Sequence, residues 1–485
     1  MSEIKVNKIS PKTACGTTTL GDSGDTFTIP AGVTITNNGT QTGFGRTGTV
    51  DWQTGDIKTS TFTAESGKGY FCDTNGGSFT VNLPAGTSGA IVSVQDYRNT
   101  FDSNGLTIDT NGSEKINGGD GGGFIILNTE GEGITLVYID STIGWRSIQD
   151  NVFADTGSNA SYVAATGGNT TITCGNFKTH IFTSPGTFCV SSAGNACGSN
   201  TIDYFVVAGG GGGGAPYRGS GGGAGGFRLS NSVGCLPAPT MSPLANPTGL
   251  PVTATGYPVT VGAGGTASAP PTPAVTPSGS NSIFAGSSTI TATGGGGGMS
   301  CSHNPATGIP GGSGGGSGGC RPGCSAGGSG NTPPVSPPQG NNGGSSPNNP
   351  SFGGGGGGAG AAGTAGRGAP QTPAANYNAL GGIGSFIADN LFGPTAPSYG
   401  TSGPVSSVRY FAGGGSGGNY PTPGPATGGA GGGGDGGGGS SPYTAATAGT
   451  VNTGGGGGGA SGPNASPANG GAGGSGIVII RYKFQ

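Results

Sequence analysis

Apolar and polar residues alternate in short runs over the first 150 residues, with turn residues between them. "TFTIPAGVTIT" (Thr26–Thr36) places Phe27, Ile29, Val33 and Ile35 at alternating apolar positions. Pro30 and Gly32 interrupt it, which predicts two short β segments around a bend or bulge. Between 46 and 150 the alternation predicts strands at Ile57–Ala64, Tyr70–Asp73, Ser78–Leu83, Ala90–Tyr97, Leu106–Asp109, Gly123–Asn128, Ile134–Asp140 and Trp145–Ile148. Gly, Asn and Pro turns separate them at the spacing of a sandwich or barrel. "SFTVNLPAG" (Ser78–Gly86) echoes "TFTIPAG" (Thr26–Gly32) as a shared turn solution. Further strands are predicted at Asn169–Cys174, Lys178–Phe182, Gly186–Val190 and Ile202–Val207. No segment has the period of a helix, so the chain reads as all-β with almost no α-helix.

From Gly209 the alternation gives way to glycine. Runs at Gly209–Gly214, Gly294–Gly298, Gly353–Gly358 and Gly454–Gly459 alternate with loops rich in Pro, Ser, Thr and Asn. The chain then closes on "GIVIIRYKF" (Gly476–Phe484). A flexible linker has no reason to enter from "IDYFVVA" and leave into so strong a strand. The two apolar ends are suited to pair and close one domain. Glycine has no Cβ and accepts the polyproline II conformation, a helix with three residues per turn and no internal hydrogen bonds. Its N–H and C=O groups must therefore find partners in neighbouring segments. If those neighbours are also polyglycine, a bundle forms with a backbone core. Disordered linkers and a stacked glycine-rich β structure are the competing readings.

Composition sharpens this picture. There are 117 glycines and 35 prolines in 485 residues, and only 8% of residues are charged. Disorder normally comes with high charge, which is missing here. Residues 1–150 hold nine Lys/Arg and sixteen Asp/Glu, against eight and four in residues 151–485. No basic footprint for nucleic acid is visible. No apolar stretch approaches the roughly 20 residues of a membrane helix. "MSEIKVNKIS" lacks the apolar core of a secretion signal, so synthesis in the cytosol is expected. The domain reading is 1–45, a small segment that needs a partner; 46–150, a β-rich module; 151–200, strands opening the distal domain; and 201–485, the glycine-rich part.

Candidate chemistry is sparse. The glycine runs match the dinucleotide pattern trivially, without the helix and acidic residue that site needs, and "ESGKGY" (Glu65–Tyr70) is no phosphate loop, because Gly69 follows its lysine and the upstream glycine is absent. Cys301, His303, Cys320 and Cys324 are spaced loosely for zinc, so no metal or other cofactor is expected. A disulfide in a loop, or a bridge between Cys189 and Cys197, is an alternative to unpaired thiols. His180 and His303 are the only histidines, and no Ser/His/Asp set exists. A carboxylate pair for glycoside cleavage is not evident in the distal part. The chain therefore reads as a non-enzyme. Asp435, alone between glycine runs, either caps backbone N–H groups or touches a ligand.

"FTSPGTFCV", "DYFVVAGGGGGG", "GGAGGFR", "YPVTVGAGG", "GSNSIFAG", "TATGGGGG" and "GGAGGSGIVIIRY" occur in that order. This set, over roughly residues 175–485, resembles the glycine-rich domain of bacteriophage tail-fibre and related adhesin proteins. "SEIKVNKISP", "TLGDSGDTFTIPAGVTITNNGTQTGFG" and "DWQTGDIKTSTFTAESGKGYFCDTNGGSFTVNLP" are similar to modules in tail fibres of marine phages. The resemblance implies a homotrimer, sandwich or jelly-roll-like N-terminal modules, and attachment through residues 1–45 to other virion tail or adaptor proteins. It implies a distal tip of packed polyglycine II helices that recognises a host receptor, a saccharide or outer-membrane protein. No nucleic acid and no membrane insertion enter that role. Another virion appendage, such as a head fibre or decoration protein, and a tail-spike depolymerase are the alternatives. Rigid aromatic and cationic side chains on loops suit recognition. The candidates are Tyr217, Arg218, His303, Arg321, Tyr377, Tyr399, Tyr410, Tyr420 and Tyr443. Each also has a bland reading as a cap on the bundle.

Overall fold

The computed structural model describes residues 50–148 and 159–485, the latter apart from 233–237, 270–274, 301–305, 320–324, 347–351, 367–378, 389–398, 420–424, 440–443 and 463–467, with isolated positions among the first 49. The chain divides into two units, Met1–Ser158 and Asn159–Gln485.

The first unit holds β1 (Asp51–Trp52), β2 (Phe62–Thr63), β3 (Lys68–Cys72), β4 (Thr80–Asn82), β5 (Ile91–Asp96), β6 (Leu106–Asp109), β7 (Ile125–Leu127), β8 (Gly133–Asp140) and β9 (Gly144–Ser147). They form two sheets, ordered β1-β3-β5-β8-β9 and β2-β4-β6-β7. Successive strands from β1 to β6 alternate between the sheets, and within each sheet the pairs β1–β3, β3–β5, β2–β4 and β4–β6 are parallel. Only β7, β8 and β9 pair antiparallel. A jelly roll pairs its strands antiparallel throughout, so here the two-sheet, all-β class holds with a different connectivity. The inward positions of both sheets make one core, in which Trp145, Phe101, Leu83 and Leu106 are fully buried.

The second unit holds β10 (Val163–Thr166), β11 (Thr170–Cys174), β12 (Phe177–Phe182), β13 (Gly186–Ala193), β14 (Thr201–Val207), β15 (Phe227–Ser230), a single helical turn α1 (Ala238–Met241), β16 (Ala245–Asn246), β17 (Leu250–Pro251), β18 (Gly256–Thr260), β19 (Ser282–Ala285), β20 (Thr289–Ala292), β21 (Ser385–Ala388), β22 (Val408–Phe411) and β23 (Ile477–Lys483). One sheet runs β11-β12-β23-β14-β15-β16, with β17 beside β14; a second runs β10-β13-β18-β19-β20; β21 and β22 pair alone. As the apolar ends predict, β14 and β23 pair antiparallel from Asp203↔Arg481 to Val207↔Ile477. Both strands are buried on two faces. Ile202, Tyr204, Val206, Val478, Ile480 and Tyr482 pack towards the second sheet. Phe205, Val207, Ile477 and Ile479 pack towards Ile387 of β21 and Phe411 of β22. The strands in 163–193 join these same sheets, so they belong to the second unit and do not stand apart.

Candidate functional site

Two of the glycine runs continue directly from strands: Gly209–Gly214 follows β14 and Gly294–Gly298 follows β20. Gly209–Gly214 extends β14, and its amides follow a period of three. Gly209 and Gly212 donate to the carbonyls of Ser280 and Pro277, Gly210 and Gly213 to Gly474 and Gly471, and Gly211 and Gly214 to Gly223 and Ser220. The carbonyls follow the same period. Gly209 and Gly212 accept from Gly295 and Gly298, Gly211 and Gly214 from Gly457 and Ala460, and Gly210 from Gly265. One run is thus bonded on all sides, by bonds of 2.8–3.1 Å. The next run repeats it. Gly219, Gly222 and Gly225 donate to Ala460, Gly457 and Gly454; Ser220, Gly223 and Gly226 donate to Met299, Gly296 and Thr293. These residues are buried, yet the core they make is backbone and not side chain.

Glycine is required there for space. A Cβ at any residue of Gly209–Gly214, Gly294–Gly298 or Gly353–Gly358 would come within 3.0 Å of a neighbouring backbone atom. None of these glycines lies in the left-handed region that commonly demands glycine. In the run Gly454–Gly459 only the first does, at φ 72°.

Polar side chains complete the bonding where a glycine neighbour is missing. Ser220 Oγ donates to the Gly316 carbonyl at 2.6 Å and accepts from Met299 N–H at 2.6 Å. Gln339 Oε1 accepts from Thr293 N–H at 2.9 Å, and its amide nitrogen donates to the Pro333 carbonyl at 3.0 Å. Asp435 Oδ1 accepts from Gly428 N–H at 2.8 Å, which is the capping role open to it from the sequence.

The run ends far from the strands gather in one layer. Gly214 bonds Ser220 and Ala460, Ser220 bonds Met299, and Gly418 bonds Gly219. Phe352 bridges Asn419, Ser325 bridges Ser346, and Gly438 bridges Thr444. Ser461 Oγ donates to the Asn419 carbonyl. The chain reverses at Ala215–Arg218 within this layer. There the Arg218 guanidinium lies 4.8 Å from the Tyr217 ring centroid, both side chains are half-buried, and Arg218 has φ 47°.

The other candidate residues divide. His303, Arg321, Tyr377, Tyr420 and Tyr443 lie outside the described residues. Tyr399 and Tyr410 sit at the strand end of the unit, away from the layer of run ends. Tyr399 is half-buried, with its carbonyl accepting from Arg409 Nε at 2.9 Å. Tyr410 is not on a loop. It belongs to β22, is only 5% exposed, and packs edge-on against Phe386 at 5.8 Å. The short "VRYF" alternates as a strand that pairs with "SFIA", and this turns Tyr410 into the fold. Strands β15, β18, β19, β20, β21 and β22 all lie in the part that reads from sequence as runs and loops alone.

Titratable groups inside the fold serve structure. His180 donates from Nδ1 to the Gly167 carbonyl at 2.7 Å, which leaves Nε2 to accept from Tyr482 OH at 3.0 Å. Burial pushes its pKa below the ordinary 6.5, against the raising effect of the Gly167 carbonyl. Burial pushes the Cys72 thiol up to about 12, so it is no nucleophile at neutral pH. Cys189 is an exposed free thiol, not bridged to Cys197. Cys301, Cys320 and Cys324 lie outside the described residues. Among the described residues no cluster of His, Cys, Asp and Glu is arranged to hold a metal ion. No helix of the described residues is long and apolar enough to cross a membrane.

No curated protein matches the chain. Residues 183–483, well over half of the sequence, match the family model described as a glycine-rich domain, with its start in the turn before β13 and its end in β23, and the chain belongs to that family.

Proposed function

We propose that this chain is a bacteriophage tail-fibre protein whose second unit attaches the virion to the host surface. The observation that carries the reading is the backbone core. Runs bonded on all sides with a three-residue period are the arrangement expected of packed polyglycine II helices. Such a core is rigid and independent of the sequence of the segments joining the runs. A receptor surface needs that combination, because binding segments can then vary on a fixed support. Tyr217 and Arg218 lie on the layer of run ends, and the segments carrying His303, Arg321, Tyr420 and Tyr443 connect to it. Residues 1–45 attach the protein to other tail or adaptor proteins, and the fibre is a homotrimer. Repetition of weak contacts across three tips and several fibres supplies avidity without new chemistry.

The test is competition. Purified protein added to host cells before infection is expected to block adsorption of virions that carry it. A Tyr217→Ala, Arg218→Ala variant with residues 440–443 replaced by Gly-Ser-Gly-Ser is expected to lose the block while its glycine amides stay protected from exchange. Undiminished adsorption in the presence of saturating wild-type protein refutes the reading.

A further inference from the structure

The outer face of the five-stranded sheet in the first unit carries large apolar side chains among polar ones, with Gln95 beside Phe71 and Arg146 beside Val137, where an open face of a sheet is ordinarily polar. The register sets Trp52, Gly69, Ser93 and Thr135 side by side across four strands. Ile148 adds a fifth position, its N–H donating to the Thr135 carbonyl at 3.0 Å. The Trp52 ring lies over Gly69, where a Cβ would come within 3.0 Å of ring atoms and of Val50. Phe71 lies 4.9 Å from Trp52, and Tyr97 lies 6.5 Å from Phe71. The centre is low, with Ser93 and Thr135 bonding each other at 2.8 Å. Trp52 is 39% exposed, Tyr97 48% and Ile148 52%. The result is a shallow seat with a Ser93–Thr135 hydroxyl pair at its floor and aromatic rings along its wall.

The chain itself holds a fitting occupant. Forty-nine residues precede Val50, and Val50 is at the rim of this seat, only 6% exposed. Those residues include Thr26–Thr36, whose apolar positions are Phe27, Ile29, Val33 and Ile35. Val33 is 59% exposed. The echoing stretch Ser78–Gly86 buries its corresponding Phe79 and Val81 in the core of the unit. Residues 37–49 are rich in Gly, Asn and Thr and reach roughly 43 Å when extended. The five strands span only about 19 Å, four spacings of ~4.8 Å. We propose that residues 26–36 dock on this face as its apolar cover, so that the N-terminal segment is fastened to the first unit through Trp52, Phe71 and Ile148. The inference does not depend on the receptor reading.

Trp52 is the reporter. The chain has two tryptophans, and Trp145 is fully buried in the core, so its emission checks the fold. In the full-length protein, acrylamide is expected to quench Trp52 weakly. Ile29→Asp and Phe27→Asp are expected to raise that quenching several-fold. Asn38→Asp is expected to leave it unchanged, and Trp52→Phe to remove the responsive signal. If Trp52 quenches equally in wild type and Ile29→Asp, the proposal fails. It also fails if Trp52 is protected in both and the protection is lost on dilution, since the cover is then the face of a second copy.

Discussion

The two units build their cores by opposite means. In the first, side chains make the core: Trp145, Phe101, Leu83 and Leu106 are fully buried between two sheets, and the backbone is satisfied within each sheet. In the second, beyond the strands, the absence of side chains makes the core: Gly211 bonds Gly223 on one side and Gly457 on another, with no room for a methyl group. The first unit stores its register in a period of two, because alternate residues face in and out. The second stores hydrogen-bond direction in a period of three, but consecutive glycines are interchangeable. Identity at each position therefore matters in both, while register along the run matters in only one. The glycine core also loses more conformational entropy on ordering, which the lateral bonds and the closing strands β14 and β23 must offset.

The sharpest way to break this comparison is insertion. One glycine placed between Val92 and Ser93 flips the rest of β5, turning Val94 out of the core. We expect the first unit to lose on the order of 3 kcal/mol or more, read by denaturant unfolding. One glycine added within Gly209–Gly214 lets the run slip and pass its surplus into the reversal at Ala215–Arg218. The cost expected is below about 1 kcal/mol, that of a slightly longer loop. Equal losses at the two places would mean the run has a register of its own.

Substitution reverses the ranking. Gly222→Ala drives a Cβ against the carbonyls of Gly211 and Gly212. It is expected to cost on the order of 3 kcal/mol through overpacking. Gly55→Ala, with nothing within 4 Å of the new carbon, should stay within about 0.5 kcal/mol. A Gly222→Ala protein as stable as wild type would argue that the runs breathe and are not close-packed. Smaller effects come from the polar substitutes. Ser220→Ala leaves the buried Met299 N–H and Gly316 carbonyl short of a partner and should cost about 1–3 kcal/mol. Ser93→Ala, which removes one side of a hydroxyl pair on a sheet face, should cost nearer about 1 kcal/mol. Thermal unfolding of the two variants compares them directly.

The legible parts of the fold were those where one interaction type dominates. "IDYFVVA" and "GIVIIRY" announce β14 and β23 because strands buried on both faces are apolar throughout. The glycine runs announce a shared core because they recur at similar length between those strands. The parallel pairing of β1, β3 and β5 is not visible in the sequence, since alternation marks a strand but not its partner, and β1 and β2 are two residues long. Tyr410 was misplaced for a related reason. "VRYF" is short and flanked by Gly, Pro and Ser, so nothing local distinguishes it from a loop; its partner "SFIA" lies over twenty residues earlier. Ser220 and Gln339 carry no signal at all, because a serine or glutamine replaces a missing backbone neighbour only once the bundle is assembled.

The finest distinction between the units is in their response to acid. The first unit contains no histidine, whereas His180 is buried in the second between Tyr482 and Phe188, with its Nδ1 proton on the Gly167 carbonyl. Burial lowers its pKa from 6.5. Above pH 6.5 the imidazole is neutral in folded and unfolded chains alike, and its contribution is fully present. As pH falls below 6.5 the unfolded chain binds a proton that the folded chain still refuses. Stability is therefore lost on acidification, with a slope of at most about 1.4 kcal/mol per pH unit for one proton. The loss ends where the folded imidazole itself titrates. Chemical unfolding followed at several pH values should show this slope in the second unit alone. His180→Gln should flatten it. A slope that survives His180→Gln would assign the acid response to carboxylates, which both units possess, and the two cores would then differ in packing but not in their titration.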